Sequence, residues 1–282
     1  MEVRSILITG GGGFIGRHLT ERLRALGYRV VIHDSAEGDI ARCALEYTNV
    51  GHVFHLAGRS YVPESWADPR AFYETNLLGT VNVLELCRHQ GASLTFVSSY
   101  VYGKPLRTPV AEDHPVQAFN PYSHSKILAE EACGFYSEHH GLRIATVRPF
   151  NIYGPGQNER FLIPTLVRQA LDATAEKIEV ADDRPRRDFL FVSDFVDLLL
   201  ATFHKEASGV YNAGSGSSVG IGQLAEILNG LIPSPKQLIS RGESRPQEVP
   251  DLFADISKAE RELGWEPSTS LAAGLRLTLA GQ

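Results

Sequence analysis

Tyr122 and Lys126 stand four residues apart in the segment Tyr-Ser-His-Ser-Lys, at the start of a predicted helix. Residues with this spacing share one helix face, so the phenol and the ammonium group can point toward the same place. A free phenol has a pKa of about 10, and a neighbouring cation lowers that value. The pair can therefore take a proton from a hydroxyl group and return it, which is general acid–base chemistry.

Ser98 is the last residue of a predicted strand, Leu94 to Ser98. In α/β proteins the carboxyl ends of parallel strands border the crevice where ligands bind. A serine hydroxyl at this position can hydrogen-bond the same oxygen atom whose proton Tyr122 moves. A Tyr-x-x-x-Lys pattern alone often occurs by chance, but a serine at this strand end supports a catalytic role for the pair. We predict a catalytic group of Ser98, Tyr122 and Lys126.

A glycine-rich turn, with Gly10, Gly13 and Gly16, lies between the predicted strand Val3 to Thr9 and the predicted helix Phe14 to Leu26. Glycines let the backbone approach a pyrophosphate closely, and free N–H groups at the helix start bind the anion. The alternative is a turn without function, but a dinucleotide site requires this same order of strand, turn and helix. An oxidised nicotinamide bound there would add positive charge beside Tyr122.

Asp34 follows the second predicted strand, Tyr28 to His33, 18 residues after Gly16. A carboxylate at this position accepts hydrogen bonds from the adenosine ribose hydroxyls and repels the 2′-phosphate of NADP. The next residue, Ser35, offers that phosphate no countercharge. The alternative is an ordinary solvated aspartate at a strand end. We predict that NAD(H) is preferred over NADP(H).

The chain has 282 residues, of which 43% are hydrophobic and 21% are charged, with a net charge of −6. These values exclude a disordered chain and a small disulfide scaffold. No long basic run is present, so nucleic acid is not an expected partner. Three dispersed cysteines without a Cys-x-x-Cys pair favour reduced thiols. Because the sequence shows no apolar run of membrane length and no signal peptide, we expect a cytoplasmic protein with no membrane partner and no metal.

Strand and helix patterns alternate over the first half of the chain, which predicts an α/β fold with a parallel sheet. Further strands are predicted at His52 to Ala57 and Ile144 to Arg148, and further helices at Phe72 to His89 and Tyr122 to His139. After residue 149 proline and glycine become dense and the alternation breaks, which favours a smaller lobe with long connections.

We therefore predict a doubly wound, Rossmann-type parallel sheet over residues 1–150 and a smaller C-terminal substrate-binding lobe of residues 151–187 and 209–282. Residues 188–208 are expected to return to the main sheet, because the run Phe189 to Phe203 has the pattern of a strand followed by a helix.

The connection between the second and third predicted strands is unusually short, with only 18 residues between Asp34 and Val53. One crossover to a parallel strand needs about a dozen residues, so two crossovers and a strand do not fit. We predict that the usual third strand of a doubly wound sheet is absent or reduced to a residue or two around Asp39, and that Tyr28 to His33 forms the sheet edge or nearly so. Residues Ala41 to Thr48 would form a short helical turn or helix.

Several motifs occur in a fixed order along the chain. They are Thr-Gly-Gly-Gly-Gly-Phe-Ile-Gly at 9–16, His-Leu-Ala-Gly at 55–58, Asn-Leu-Leu-Gly-Thr at 76–80, Ser-Ser-Tyr-Val-Tyr-Gly at 98–103, Tyr-Ser-His-Ser-Lys at 122–126, Arg-Pro-Phe-Asn-Ile-Tyr-Gly-Pro-Gly at 148–156, Arg-Asp-Phe at 187–189, Ala-Asp-Ile-Ser-Lys-Ala at 254–259 and Leu-Gly-Trp at 263–265. In this combination the chain resembles the extended short-chain dehydrogenase/reductases that act on nucleotide sugars. The resemblance implies a bound NAD and a C-terminal lobe that closes over a nucleoside-diphosphate sugar.

The resemblance also implies a role for individual residues. Tyr122 would be the acid/base, Lys126 would lower its pKa and bind the nicotinamide ribose, and Ser98 would hold the reacting oxygen. Besides Gly10, Gly13, Gly16, Asp34, Tyr122 and Lys126, the implied cofactor contacts are Phe14, Ile15, Asp39, Ile40, Leu56, Ala57, Gly58, Asn76, Pro149 and Phe150. The implied substrate contacts are Ser98, Ser99, Tyr122, Asn151, Arg187 and Arg245. The forked guanidinium groups of Arg187 and Arg245 suit a diphosphate. The alternative for each arginine is a surface salt bridge.

The reaction is narrowed by a departure from the family pattern. Dehydratases of the family carry an Asp-Glu pair where this chain has Ser99 and Tyr100, so 4,6-dehydration is disfavoured. An epimerase and a 4-keto-sugar reductase remain. The segment Arg245 to Leu252 looks like the tail motif of the GDP-sugar dehydratase and reductase branch. Asp34 favours a retained NAD, as epimerases use, and we favour an epimerase acting at C4. A non-catalytic NAD-binding sensor is disfavoured, because such proteins usually lose the tyrosine or the lysine.

A homodimer is also predicted. The helices Phe72 to His89 and Tyr122 to His139 match those that pair across a two-fold axis in this family. Their apolar residues exceed what one buried face needs, namely Leu77, Leu84, Leu86, Ile127 and Leu128. The alternative is that all of them face the sheet.

Overall fold

The computed structural model describes residues 4–244 and 248–281 of the chain. Its strands are β1 (Ser5–Thr9), β2 (Val30–His33), β3 (Val50–His55), β4 (Ser93–Val97), β5 (Ile144–Pro149), β6 (Asn151–Tyr153), β7 (Lys177–Val180), β8 (Arg186–Arg187), β9 (Phe189–Phe191), β10 (Gly209–Ala213), β11 (Val219–Gly220), β12 (Gln237–Ser240) and β13 (Asp251–Leu252). Its helices are α1 (Phe14–Ala25), α2 (Val62–Ala67), α3 (Pro69–Tyr73), α4 (Gly79–Gln90), α5 (Pro121–His140), α6 (Leu162–Leu171), α7 (Val192–His204), α8 (Ile221–Asn229), α9 (Ser257–Leu263) and α10 (Leu271–Ala280), with a π-helical turn at Glu74–Leu78.

Six parallel strands form the central sheet in the order β10-β5-β4-β3-β1-β2. Successive residues of β1 face opposite sides, as the pleat of a strand requires. Ile6 and Ile8 pack in the layer that holds α1 and α7, whereas Leu7 packs in the layer that holds α4 and α5. Helices thus cover both faces of a parallel sheet, and the predicted doubly wound α/β fold is confirmed.

The connection between β2 and β3 lacks a strand, as the chain length predicts. Residues 35–49 are all described, and they form turns and irregular backbone only. β2 is therefore the sheet edge. The amides of Arg42 and Cys43 both donate to the carbonyl of Asp39, which makes one helical turn slightly earlier than predicted. The side chain of Ile40 is buried and packs against Gly79 of α4.

The strand β9 lies outside the central sheet, in which it was predicted. The prediction that Phe189 to Phe203 returns a strand to the main sheet is wrong, because β9 pairs with β6 in a separate two-stranded sheet. The helix of that run, α7, does pack on the main sheet. A crossover helix delivers the strand that follows it, and the strand that follows α7 is β10, which pairs with β5. Residues 209–213 thus belong to the central sheet and not to the smaller lobe.

The smaller sheets collect beyond the carboxyl ends of the central strands. β8 pairs with β11 and β13, and β7 pairs with β12. Among the helices of residues 4–244 and 248–281, none is long and apolar enough to cross a membrane.

Candidate active site

The sheet order places a ligand crevice between β1 and β3. The chain leaves β1 through α1 to reach β2 on one side, and β3 then pairs with β1 on the other side. The order of the strands reverses at this point, and ligands of open α/β sheets bind in the crevice outside the carboxyl ends of the two strands.

The glycine turn fits a pyrophosphate. Gly10 has a φ of +74°, and a Cβ at this position would lie 2.7 Å from the backbone nitrogen of Ala57. A Cβ on Gly16 would overlap the carbonyl oxygen of Gly10. Gly13 precedes α1, and no side chain of the described residues caps this helix start. The first amides of α1 therefore point at a cradle that only a glycine backbone leaves open, which suits an anion.

The adenosine end of the crevice holds the three predicted residues of the β2 edge. Asp34 is fixed against the glycine turn by a hydrogen bond from the amide of Gly12. Asp39 is exposed and accepts a hydrogen bond from the amide of Ala41. Ile40 is buried, and its carbonyl accepts a hydrogen bond from the side chain of Asn82. Asp34 and Asp39 are thus available to a ribose and an adenine, whereas the Ile40 side chain mainly packs against α4.

The turn after β3 is held by Asn76. Leu56 and Ala57 are half-buried, and a Cβ on Gly58 would lie 3.0 Å from Asn76 Oδ1 and 3.4 Å from Lys126 Nζ. Asn76 lies in the π-helical turn, a feature frequent at functional sites.

The side chain of Asn76 is fully committed to protein partners. Its Oδ1 accepts from the amide of Arg59 at 2.8 Å, and its Nδ2 donates to the Arg59 carbonyl and to Ser125 Oγ. Asn76 therefore shapes the cofactor side of the crevice through Arg59 and Ser125.

Lys126 lies under the end of β4. Its Nζ donates to the carbonyl of Val97 at 2.8 Å and stands 4.8 Å from the centre of the Phe96 ring. Burial lowers the pKa of Lys126 to about 8. A capping box of Asn120 and Ser123 fixes the start of α5 and with it the backbone of Lys126. The hydrogen bond to Val97 fixes the ammonium end of its side chain.

Tyr122 lies one turn before Lys126 and is half-buried. Its ring meets Phe72 edge to face at 6.3 Å, and its hydroxyl is hydrogen-bonded to Ser99. Burial raises the pKa of Tyr122 to about 12, and the bond with Ser99 opposes that rise. Because Tyr122 is in the first turn of α5, the positive end of the helix dipole also favours its phenolate.

Ser98 completes the predicted group. Its amide donates to the carbonyl of Val147, which fixes the residue at the end of β4. Its Oγ is buried and has no hydrogen-bond partner within the described part of the chain. Tyr122 and Lys126 bond the two neighbours of Ser98 in the chain, Ser99 and Val97. Buried hydroxyls are almost always paired, so an unpaired one at this position is a candidate partner for a ligand oxygen.

Phe150 and Pro149, the predicted neighbours of the nicotinamide, are both buried. The side chain of Phe150 lies in a small cluster with Tyr102 and Leu252, and the Tyr100 ring stacks on it at 5.4 Å. Pro149 is the last residue of β5. Their contact with the nicotinamide stays a prediction.

The predicted diphosphate contacts are only partly described. Asn151 Nδ2 donates to the carbonyl of Asp188 at 2.8 Å. Arg187 donates to the carbonyl of Val249 and forms an ion pair with Glu248. Arg245 lies outside the described residues.

Two residues of this region were not singled out from the sequence. Glu248 lies three residues after Arg245 in the tail motif, and its place in that motif could have indicated it. Ser125, which joins Asn76 to the carbonyl of Tyr122, gave no signal, because its role depends on the π-helical turn.

Comparison with known proteins agrees with this geometry. A family model described as the NAD dependent epimerase/dehydratase family matches residues 6–214. The chain is 32% identical to a GDP-6-deoxy-D-mannose reductase of Pseudomonas aeruginosa, over 98% of the chain and 96% of the relative. It is 31% identical to a putative UDP-glucose 4-epimerase of Methanocaldococcus jannaschii, over 96% of each. A UDP-glucuronic acid decarboxylase of Xenopus tropicalis is 31% identical over 98% of the chain and 71% of the relative.

Solved structures are similar over the full length. The Pseudomonas aeruginosa enzyme RMD complexed with NADPH has a TM-score of 0.90 and 29% identity, covering 99% of this chain and 98% of that one. The UDP-glucose 4-epimerase of Thermotoga maritima with UDP-glucose has a TM-score of 0.89 and 27% identity, covering 98% of each. The match over residues 6–214, the glycine cradle and the Ser98, Tyr122 and Lys126 group lead to one conclusion: the chain belongs to the NAD-dependent epimerase/dehydratase family of extended short-chain dehydrogenase/reductases.

Proposed function

We propose that the protein is an NAD-dependent nucleotide-sugar epimerase that works by transient hydride transfer at C4 of the sugar. The observation that carries the proposal is the buried hydroxyl of Ser98, which has no partner among the described residues. Tyr122 and Lys126 bond its two neighbours in the chain, Ser99 and Val97. This arrangement offers one sugar oxygen a hydrogen-bond partner and a proton carrier in a place shielded from water.

Side chains of the protein carry out the transfer of the sugar hydroxyl proton. Bound NAD would supply a hydride acceptor for the sugar carbon and a hydride donor to its opposite face. Ser98 holds the sugar oxygen, and Tyr122 takes its proton as a phenolate on oxidation and gives it back as a phenol on reduction. The Lys126 ammonium, the α5 dipole and the Ser99 hydrogen bond stabilise the phenolate with which each cycle begins and ends.

An epimerase is favoured over a reductase by the cofactor side of the crevice. An epimerase regenerates its NAD in each cycle and gains from holding it, whereas a reductase must exchange its dinucleotide at each turnover. Asp34 borders the ribose position, where it suits NAD. The UDP-glucose 4-epimerase relatives support the same reading.

The second candidate is a reductase of a GDP-4-keto-6-deoxy sugar. It is favoured by the GDP-6-deoxy-D-mannose reductase relative and by the tail segment that begins at Arg245. The same serine, tyrosine and lysine would serve both reactions. A non-catalytic NAD sensor is a weaker third candidate, since the catalytic group is complete.

The remaining assignments are proposals as well. Residues 151–187 and most of 214–281 form the lobe that closes over the nucleotide sugar, with Asn151, Arg187 and Arg245 as contacts to its diphosphate. We propose a homodimer in the cytoplasm. The three cysteines are free, which suits a reducing compartment.

The test combines a spectrum with a substrate panel. The purified protein is scanned for bound dinucleotide and then given UDP-glucose, UDP-N-acetylglucosamine, UDP-glucuronic acid and a GDP-4-keto-6-deoxy sugar, with Tyr122→Phe as the control. Retained NAD and interconversion of C4 epimers without net NADH consumption support the epimerase. NADH or NADPH consumption with the keto sugar alone would favour the reductase, and release of CO2 from UDP-glucuronic acid would contradict both.

A further inference from the structure

Residues 155–161, which we call the strap, run between the two rims of the dinucleotide crevice. The rim on one side is α1, which follows β1, and the rim on the other side is the segment at residues 56–67, which follows β3. The strap comes from neither rim, because it follows β6. Its contacts with both rims therefore bridge the crevice from outside.

The first anchor joins the strap to α1. Arg17 Nη2 donates to the carbonyl of Gly156 at 3.1 Å, and His18 Nε2 lies 3.1 Å from the carbonyl of Pro155. Gly156 has a φ of +77°, and a Cβ there would lie 3.2 Å from Arg17 Nη2. This anchor thus depends on a left-handed turn that glycine adopts without strain.

The second anchor joins the strap to the β3 rim through Arg160. Its Nη1 lies 2.5 Å from Glu64 Oε1, and its guanidinium lies 4.4 Å from the centre of the Tyr61 ring. The ring of Phe161 meets Tyr61 edge to face at 6.1 Å. The side chains of Arg160 and Glu64 are 42% and 47% exposed, so this anchor can open without disturbing the core.

The strap is internally braced. The amides of Arg160 and Phe161 donate to the side-chain and backbone oxygens of Asn158, both at 3.1 Å. Gln157 Nε2 donates to the carbonyl of Ile152 at 2.8 Å. A braced segment moves as a unit, so opening the second anchor alone frees that rim of the crevice.

We propose that the strap closes over the bound dinucleotide and that Arg160 is the positioning residue that controls dinucleotide release. The proposal rests on dinucleotide binding and is independent of which sugar reaction the enzyme performs. A closed strap slows the release of the dinucleotide from the site.

The test measures release directly, with no sugar present. The holoenzyme is loaded with NADH, chased with excess NAD⁺, and followed by NADH fluorescence in wild type, Arg160→Ala and Glu64→Gln. An exposed ion pair and an exposed cation–π contact are both lost in Arg160→Ala, so release should be about tenfold faster. Glu64→Gln loses only the ion pair, so its release should be about threefold faster.

Arg22→Ala is the matched control. Arg22 is an exposed arginine of α1, paired loosely with Asp197 at 3.6 Å, and neither residue belongs to the strap or to its two anchors. Its release rate should equal that of wild type. Raising the salt concentration should speed release from wild type more than from Arg160→Ala, because salt screens the Arg160 ion pair. Unchanged release in Arg160→Ala, or equal acceleration by Arg22→Ala, would overturn the proposal.

Discussion

The carboxylate of Asp34 accepts a hydrogen bond from the backbone amide of Gly12, with 2.8 Å between Oδ2 and N. The amide of Asp34 in turn donates to Glu37 Oε2 at 2.8 Å. The end of β2 is thereby locked to the phosphate-binding turn. A negative charge is thereby held beside the glycine turn, where we propose that the adenosine ribose binds, and the Glu37 carboxylate lies next to it.

We expect wild type to bind NADH at least about tenfold more tightly than NADPH, because a 2′-phosphate would meet the Asp34 charge. Asp34→Ala should weaken NADH binding and narrow the difference between the NADH and NADPH affinities. Fluorescence titration with both dinucleotides measures this, and Glu37→Gln is the control that leaves the Asp34 side chain in place. Equal affinities in wild type would contradict the NAD prediction, a sharp test because the Pseudomonas aeruginosa enzyme RMD was solved with NADPH.

Several elements could be predicted from local sequence. Apolar runs that end in glycine or serine locate β1 and β4 to within a few residues, because both strands are buried on both faces. The absent strand between β2 and β3 follows from chain length alone. Tyr122, Lys126 and Ser98 follow from helix spacing and from the position of a strand end.

Other elements depend on contacts that no local pattern contains. β10 carries Asn212, a buried polar residue whose side chain donates to the carbonyls of Val110 and Asp255. The π-helical turn at Asn76 adds one residue to a helical turn, and the pattern of apolar residues in this segment does not reveal the addition. The Arg187 and Glu248 pair joins segments 61 residues apart. Each of these features requires knowledge of the tertiary structure.

Ser98→Ala should lower activity and raise stability at once. The Ser98 hydroxyl is buried without a partner among residues 4–244 and 248–281, which costs about 1–3 kcal/mol of folding free energy. We expect Tm to rise by about 2 °C and kcat to fall by about 10²-fold.

Ser125→Ala is the matched control for that change. Ser125 is also a buried serine, but its hydroxyl bonds Asn76 and the carbonyl of Tyr122. Its removal leaves one buried N–H of the Asn76 side chain unpaired, so Tm should fall. Calorimetry of the two variants checks the opposite signs, and a lower Tm for Ser98→Ala would show that its hydroxyl is paired within the fold.

Tyr122→Phe keeps the ring but removes the group that carries the proton. General acid–base catalysis contributes about 10²- to 10⁴-fold, so turnover should fall by that amount while NAD binding persists. Steady-state kinetics and a dinucleotide titration measure the two quantities separately. Near-normal turnover in this variant would remove Tyr122 from the mechanism.

The pH profile should break near pH 8 because of Lys126. Burial lowers its pKa to about 8, so the ammonium that we propose to stabilise the Tyr122 phenolate is lost as the pH rises through that value. Well below pH 8 the lysine is charged, and kcat/KM rises with pH as the phenolate fraction grows. Above pH 8 the rise should stop or reverse. Lys126→Arg keeps its charge throughout this range, so profiles from pH 6 to 10 should lose the break; a break that persists would belong to another group.

Glu248→Gln should tighten nucleotide binding if Arg187 contacts the diphosphate. The two side chains are 15% and 21% exposed, and the carboxylate competes with any phosphate for the same guanidinium. Removing its charge should improve the Kd for UDP or GDP by about fivefold, measured by calorimetry. Glu243→Gln, in an exposed pair with Arg241, is the control and should change nothing. Unchanged or weaker binding in Glu248→Gln would make the ion pair a link between β8 and the residues before β13.

The homodimer prediction depends on the outer face of α4 and α5. Leu84 and Leu86 are buried in the core, so they do not support it, whereas Leu77, Ile127 and Leu128 are only half-buried and Phe135 is 55% exposed. A second copy packed on this face would cover these side chains. Light scattering at micromolar concentration should give twice the chain mass of 30.9 kDa. Phe135→Glu should shift the mass toward one chain, and Leu171→Glu, an equally exposed site on α6, should not. A wild-type mass of one chain would refute the prediction.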